Sequence, residues 1–262
     1  MSIPMPAVFV GHGSPMNAIE NNRYTDSWRR LGASLPRPNG ILAISAHWYT
    51  RGTAITVMDR PRTIHDFSGF PPELYAVSYP APGDPALAAR VQELLAPVDV
   101  KPDTSWGLDH GTWSVLVHVF PGANIPVVQL SLDVAQPPAW HYEFAKRLAP
   151  LRGEGVLILG SGNIVHNLGL IQWSDNARPH DWAVRFSGRV RDALAEGRFD
   201  ALIAWETLDA DARLSVPTPD HYLPLLYVVA QRQADEAITF PVDGIEYGSI
   251  GMLAAAIGTL TR

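Results

Sequence analysis

Four short apolar runs punctuate the chain: AVFV at 7–10, ILAIS at 41–45, PVVQLSL at 126–132 and VLILG at 156–160. Each is rich in Val, Ile and Leu, bounded by Gly, Pro or Asn, and too continuous to keep one face in water. Such runs predict buried strands of a largely parallel sheet. Between them the hydrophobic period lengthens to that of a helix. In 84–96, Leu87, Val91, Leu94 and Leu95 fall at i, i+4, i+7 and i+8, with Asp84 as cap and Pro85 in the first helical position. In 181–197, Trp182, Phe186, Val190 and Leu194 make one stripe, with Asp181 as the expected cap and Gly197 as the stop. In 220–232, Asp220 is the expected cap, and Leu223, Tyr227 and Val228 form an apolar face. The segment 237–257 admits strands or a short helix, and we read it as strands. Strands alternating with helices predict an α/β sandwich. No repeat, low-complexity tract or linker divides the chain, so residues 1–262 are expected to form a single domain.

Composition narrows the classes of function. The chain has 262 residues with 26 acids against 20 bases, a net charge of −6, which disfavours a general nucleic-acid binder. No stretch approaches the roughly 18 uninterrupted apolar residues of a membrane helix. The opening MSIPMPAVFVGHG lacks the basic region and long apolar run of a secretion signal, so a cytoplasmic protein is expected. Cysteine is absent, which excludes disulfides, thiolate zinc sites, iron–sulfur clusters and cysteine nucleophiles. The 23 scattered prolines suggest many rigid loops on a folded body.

Candidate chemistry lies with histidine. AVFVGHGSP puts His12 just past the first predicted strand, ILAISAHW puts His47 just past the second, and VLILGSGNIVH puts His166 a few residues beyond the last. Ligands of open parallel sheets bind outside the carboxyl ends of the strands, so these histidines are expected to converge on one rim. His221 follows the turn VPTPD and opens a helix, a fourth candidate. His110, in GLDHGTW, is expected in a tight loop. Imidazole serves Zn, Fe, Cu and Ni alike, so the pattern does not name the metal. His118, His141 and His180 lie on or beside amphipathic helices and read as structural; His65, in TIHDFSGFP, is intermediate. Trp48 and Trp113, beside site histidines, either wall a pocket for an aromatic ligand or belong to the core. Neither Ser14 nor Ser161 sits in G-x-S-x-G, and there is no Walker A, G-x-G-x-x-G or H-E-x-x-H motif.

Taken together, GHGSPMNAIENN, SAHWYTRG, TIHDFSGFP, YPAPG, WGLDHGTW, SGNIVHNL and TPDHYLPLLY resemble the 4,5-DOPA extradiol dioxygenase family, a branch of the class III extradiol ring-cleavage dioxygenases. The likeness runs from about residue 5 to about residue 257. It implies a three-layer α/β/α sandwich around a mostly parallel, mixed central sheet, with one mononuclear divalent metal at its rim. It further implies His12 and His47 as ligands, with His221 where protocatechuate-type relatives carry a glutamate. His166 is implied as acid/base, close enough to the metal to be a further ligand when zinc is bound, and His110 as a residue near substrate or dioxygen. The implied substrates are O2 and a small catechol such as L-DOPA, whose 4,5-cleavage gives a seco product that cyclises. His65, Trp48 and Trp113 are the expected substrate contacts. Arg51, Arg60 and Arg62 offer charge for a substrate carboxylate or are simply solvated.

Fe(II) is expected for the dioxygen chemistry, because three facial ligands leave three positions for a bidentate catecholate and O2. Zn(II) suits the same imidazoles but has no redox chemistry. A zinc hydrolase acting on a small substrate is therefore a rival reading, and a non-catalytic metal- or ligand-binding protein a third. The third leaves the extra ionisable groups His166 and His110 without a task.

Overall fold

Each of the four apolar runs forms a strand near the middle of one sheet. The computed structural model describes residues 4–174, 176–234 and 236–261. In chain order the strands are β1 (Ala7–Gly11), β2 (Gly40–Thr50), β3 (Thr53–Thr56), β4 (Val100–Asp103), β5 (Val127–Asp133), β6 (Val156–Gly162), β7 (Ile238–Val242), β8 (Ile245–Glu246), β9 (Ile250–Gly251) and β10 (Ala254–Ile257). Eight of them make one sheet in the order β4-β3-β5-β2-β6-β1-β10-β7, while β8 and β9 pair separately. The central strands β5, β2, β6 and β1 run parallel. On the flanks β10 is antiparallel to β1, β7 to β10, and β3 to β5, so the sheet is mixed. The strands read from 237–257 are there.

The period of two along each strand sorts the core into two layers. Ala7, Phe9, Leu42, Ile44, Val128, Leu130 and Ile158 face a cluster supplied by the helices Pro85–Leu95, Pro138–Lys146, Asp181–Glu196 and Leu223–Val229. Val8, Val10, Ile41, Ala43, Leu157 and Leu159 face the other way, against Trp28 and Trp113 from the helices Arg23–Ser34 and His110–Val119. Helices on both faces of a central sheet give the α/β/α sandwich. Among the described residues no helix is long and apolar enough to cross a membrane.

Four local expectations are corrected. His180, not Asp181, caps the Asp181–Glu196 helix; Asp181 occupies its first turn, while Gly197 ends it in the left-handed region at φ 69°. The 220–232 helix shrinks to Leu223–Val229 with Tyr222 at its cap. The amides of Tyr222 and Leu223 donate to the Pro219 carbonyl, so Asp220 is not needed as a cap. His47 lies within β2 rather than beyond it. After Ile44 pairs with Leu130, pairing with β5 resumes only at Tyr49 and Leu132, so the intervening residues bulge out of register. His110 opens a helix instead of sitting in a tight loop, and the Asp109 side chain caps that helix by accepting from the Thr112 amide.

Candidate metal centre and its cavity

Three imidazoles meet at the carboxyl end of the parallel strands. His12 follows β1 directly, His47 comes from the irregular part of β2, and His221 from the turn before the Leu223–Val229 helix. One ring nitrogen from each lies within 4.8 Å of the others. Polar partners on their opposite edges, hydrogen-bonded to His12 and His221 and at ion-pair distance from His47, assign the tautomers. Ser161 Oγ donates to the Gly111 carbonyl and so accepts from His12 Nδ1, 3.0 Å away. His47 Nδ1 lies 3.3 Å from Asp66 Oδ2, and His221 Nδ1 donates to Asp220 Oδ2 at 2.5 Å. Each Nδ1 thus carries the proton, leaving a lone pair on each Nε2. His12 Nε2 and His47 Nε2 face each other at 3.1 Å. His221 Nε2 is buried without a hydrogen-bond partner among the described residues. Converging lone pairs with no proton between them are a donor set for a divalent cation, and partners that fix the remote nitrogen are the usual support of metal-bound imidazole.

Burial keeps two of the three rings unprotonated. Burial, reinforced by the neighbouring imidazoles, holds His12 and His47 well below the ordinary imidazole range. Neutral imidazole is the form that ligates metal. Although burial pushes Asp220 up, the hydrogen bond and charge of His221 outweigh it and bring the carboxyl down to about 2. At Asp66, burial is likewise overcome by the hydrogen bond and charge of His110, so its carboxyl too is lowered.

Two further histidines border the centre. The His166 ring stacks on that of His221, with centroids 3.5 Å apart and planes within 6°. Burial, followed by the charge of His221, lowers its pKa to about 2. It stands outside the group of nitrogens within 4.8 Å of one another, which is made by His12, His47 and His221. His110 Nδ1 lies 3.0 Å from the same Asp66 Oδ2 that faces His47, and its backbone amide donates to Asp66 Oδ1 at 2.8 Å. One carboxylate therefore addresses both rings. The helix behind His110 comes this close because position 111 is glycine: a Cβ there would stand 2.5 Å from Ser45 Oγ and 2.9 Å from His47 Cδ2.

The centre opens into a cavity of about 520 Å³, bordered by His12, His47, His110, His166 and His221 at one end and by Phe67, Phe70, Leu168, Trp173, Tyr247 and Ile250 further out. That size is ordinary for a small-molecule site. His65, Trp48 and Trp113, the expected substrate contacts, do not border it. Trp48 is buried and stacks on Trp106 with planes 3° apart. Trp113 is fully buried and donates to the Ile64 carbonyl at 2.7 Å, and His65 Nε2 donates to the Val77 carbonyl at 3.0 Å. Trp113 and His65 thus brace the loop that carries Asp66 and Phe67. Arg51, Arg60 and Arg62 also stand outside the lining; Arg62 donates to the Ser105 and Trp106 carbonyls. His118 Nε2 donates to the Asn17 carbonyl, His141 bridges Tyr227 and Asp133, and His180 caps a helix. Sequence reasoning missed Asp66 and the outer aromatic wall. The one signal for Asp66 was its place beside His65 in a loop framed by Gly and Pro.

Comparison with known proteins agrees with this geometry. Residues 6–256 match the family described as the catalytic LigB subunit of aromatic ring-opening dioxygenase. A 4,5-DOPA dioxygenase extradiol of Escherichia coli is 52% identical over 260 residues, covering 98% of this chain and 96% of that protein. Its namesake from Beta vulgaris is 41% identical over 225 residues, 83% of each chain. A crystal structure of an uncharacterized protein from Escherichia coli K12 superposes with a TM-score of 0.86 at 47% identity, covering 97% of this chain and all of that one. The chain belongs to the LigB family of aromatic ring-opening dioxygenases and is an enzyme of the extradiol class.

Proposed function

We propose that this extradiol dioxygenase cleaves the ring of a small catechol, L-DOPA among its substrates, by 4,5-cleavage with Fe(II) held by His12, His47 and His221. The observation that carries this reading is the convergence of three Nε2 lone pairs, each fixed by a partner on Nδ1, at the closed end of a cavity sized for an aromatic ring. Relatives named for 4,5-DOPA dioxygenase activity support the choice of substrate and regiochemistry. A bound Fe(II) supplies a two-point grip on the catecholate and a path for electrons between ring and dioxygen. Zn(II) suits the same nitrogens, but zinc-filled protein is expected to be inert toward O2.

The chain's own groups manage protons and position. His166 borders the cavity and is the ring placed to accept a catechol hydroxyl proton and to return it when the ring opens. His110, with Nδ1 turned to Asp66, keeps Nε2 for the second hydroxyl. The aromatic wall excludes water from the reacting ring. All of residues 1–262 act as one catalytic domain.

The test is to load metal-free protein with Fe(II) under anaerobic conditions, add L-DOPA, and admit air in an oxygen electrode. Oxygen uptake with a yellow product is expected. No uptake across a panel of catechols would overturn the reading.

A further inference from the structure

Beyond the imidazoles the cavity is walled mainly by Phe67, Phe70, Leu168, Ile171, Trp173 and Tyr247, with Ser14 and Ser68 also on its lining. Among the described residues no lysine or arginine lines it. The charges close at hand are mostly carboxylates: Asp66 and Asp220 behind the ligands, and Glu246, whose Oε2 lies 3.4 Å from the backbone nitrogen of Ser14 on the cavity floor. A substrate carboxylate reaching outward from the ring would meet mostly apolar walls with no lysine or arginine among the described lining residues, and desolvating it there without a cationic partner is costly.

An apolar substituent meets the opposite conditions. Leu168 and Trp173 are 58% and 67% exposed, and they stand at the lip where a guest would cover them. Tyr247 faces them from a backbone held at φ 49°, a left-handed conformation that aromatic residues rarely adopt. Its carbonyl accepts from the Gln172 amide at 2.9 Å, and its ring lies 5.3 Å from that of Trp173. Strained backbone is thus retained where it sets an aromatic side chain against the lip.

We propose that the cavity selects catechols whose ring substituent is uncharged and apolar, and that Trp173 and Tyr247 read that substituent. This rests on the ring-cleavage reading above and adds a ranking to it: L-DOPA is turned over, but an alkylcatechol is preferred. Each methylene moved from water to such a wall is worth roughly fourfold in affinity.

Zinc-loaded protein gives a binding readout free of turnover. Titrated calorimetrically, it should bind 4-butylcatechol at least tenfold more tightly than catechol, L-DOPA or 3,4-dihydroxyphenylpropionate. Either carboxylate binding as tightly as the butyl compound would overturn the proposal. Trp173→Ala alters an exposed side chain and should keep the fold; it should reduce the butylcatechol-to-catechol affinity ratio at least fivefold, and an unchanged ratio would remove Trp173 from the wall. Leu168→Lys, at the same lip, should shift preference toward L-DOPA, and no shift would count against a charge-poor lip as the discriminator. In iron-loaded protein kcat/KM should follow the same order. Cleavage of every catechol with L-DOPA favoured defeats the selectivity alone, whereas neither binding nor oxygen uptake with any catechol defeats the ring-cleavage reading beneath it.

Discussion

An imidazole holds one proton and one lone pair, and three different partners decide where they go in this site: a serine hydroxyl for His12, and the carboxylates of Asp66 and Asp220 for His47 and His221. Replacing any of the three rings with alanine should leave a folded protein, by circular dichroism, that retains little metal on elemental analysis. Full retention in all three variants would refute the ligand set. Asp66→Asn keeps the shape but weakens the hold on both His47 and His110. Metal affinity, measured by chelator competition, should fall about 10–100-fold, as when other outer partners of metal-bound histidine are lost. At this scale the sequence was legible where a residue follows a strand, because the strand's direction fixes where its end points. His12 and His166 follow that grammar, whereas His47 sits inside β2, in the stretch where its pairing with β5 lapses. Asp66 was not legible: it lies in an irregular loop, where no periodicity says which of two neighbours, His65 or Asp66, turns inward. Trp48 and Trp113 erred the other way, since a large aromatic beside a site histidine fills core as readily as it walls a pocket.

The elements were more legible in kind than in extent. The period of two placed both core layers, but a bulge such as that in β2 leaves no mark in an apolar run, and the 220–232 helix keeps only Leu223–Val229, the stretch that holds its apolar face. The Pro138–Lys146 and Leu223–Val229 helices are joined by a buried histidine that sequence rightly left outside the metal site. His141 Nε2 donates to the Asp133 carbonyl at 3.1 Å, so its Nδ1 accepts from the Tyr227 hydroxyl at 3.0 Å. Burial lowers its pKa to about 4. Between pH 6.5 and that value the unfolded chain binds a proton that the native state refuses. Stability should therefore fall on acidification by about 1.4 kcal/mol per pH unit from this residue, reaching about 3 kcal/mol in all. His141→Gln, compared with the parent by urea unfolding at pH 7.5 and pH 5, should lose that share of the dependence. An identical pH profile would show that the histidine titrates alike in the native and unfolded states.

Across the whole molecule, two apolar layers share one sheet and the proposed metal ligands come from the end of its first strand, from its second, and from the turn before the Leu223–Val229 helix. A ligand that binds only the native state stabilises it by mass action, by about 2.7 kcal/mol at a hundredfold excess over Kd. Calorimetric unfolding should thus show one transition for the metal-free chain, raised in temperature by Fe(II) or Zn(II), with no such rise in His12→Ala. Two separable transitions would contradict a single domain. The position of β1, lodged between β6 and β10, also orders events during synthesis. His12 is made some two hundred residues before His221, with which it is proposed to share a metal, and one neighbour of its strand is β10, at 254–257. A growing chain thus holds His12 and His47 long before the third imidazole exists, and the proposed donor set closes only after residue 221 has been made.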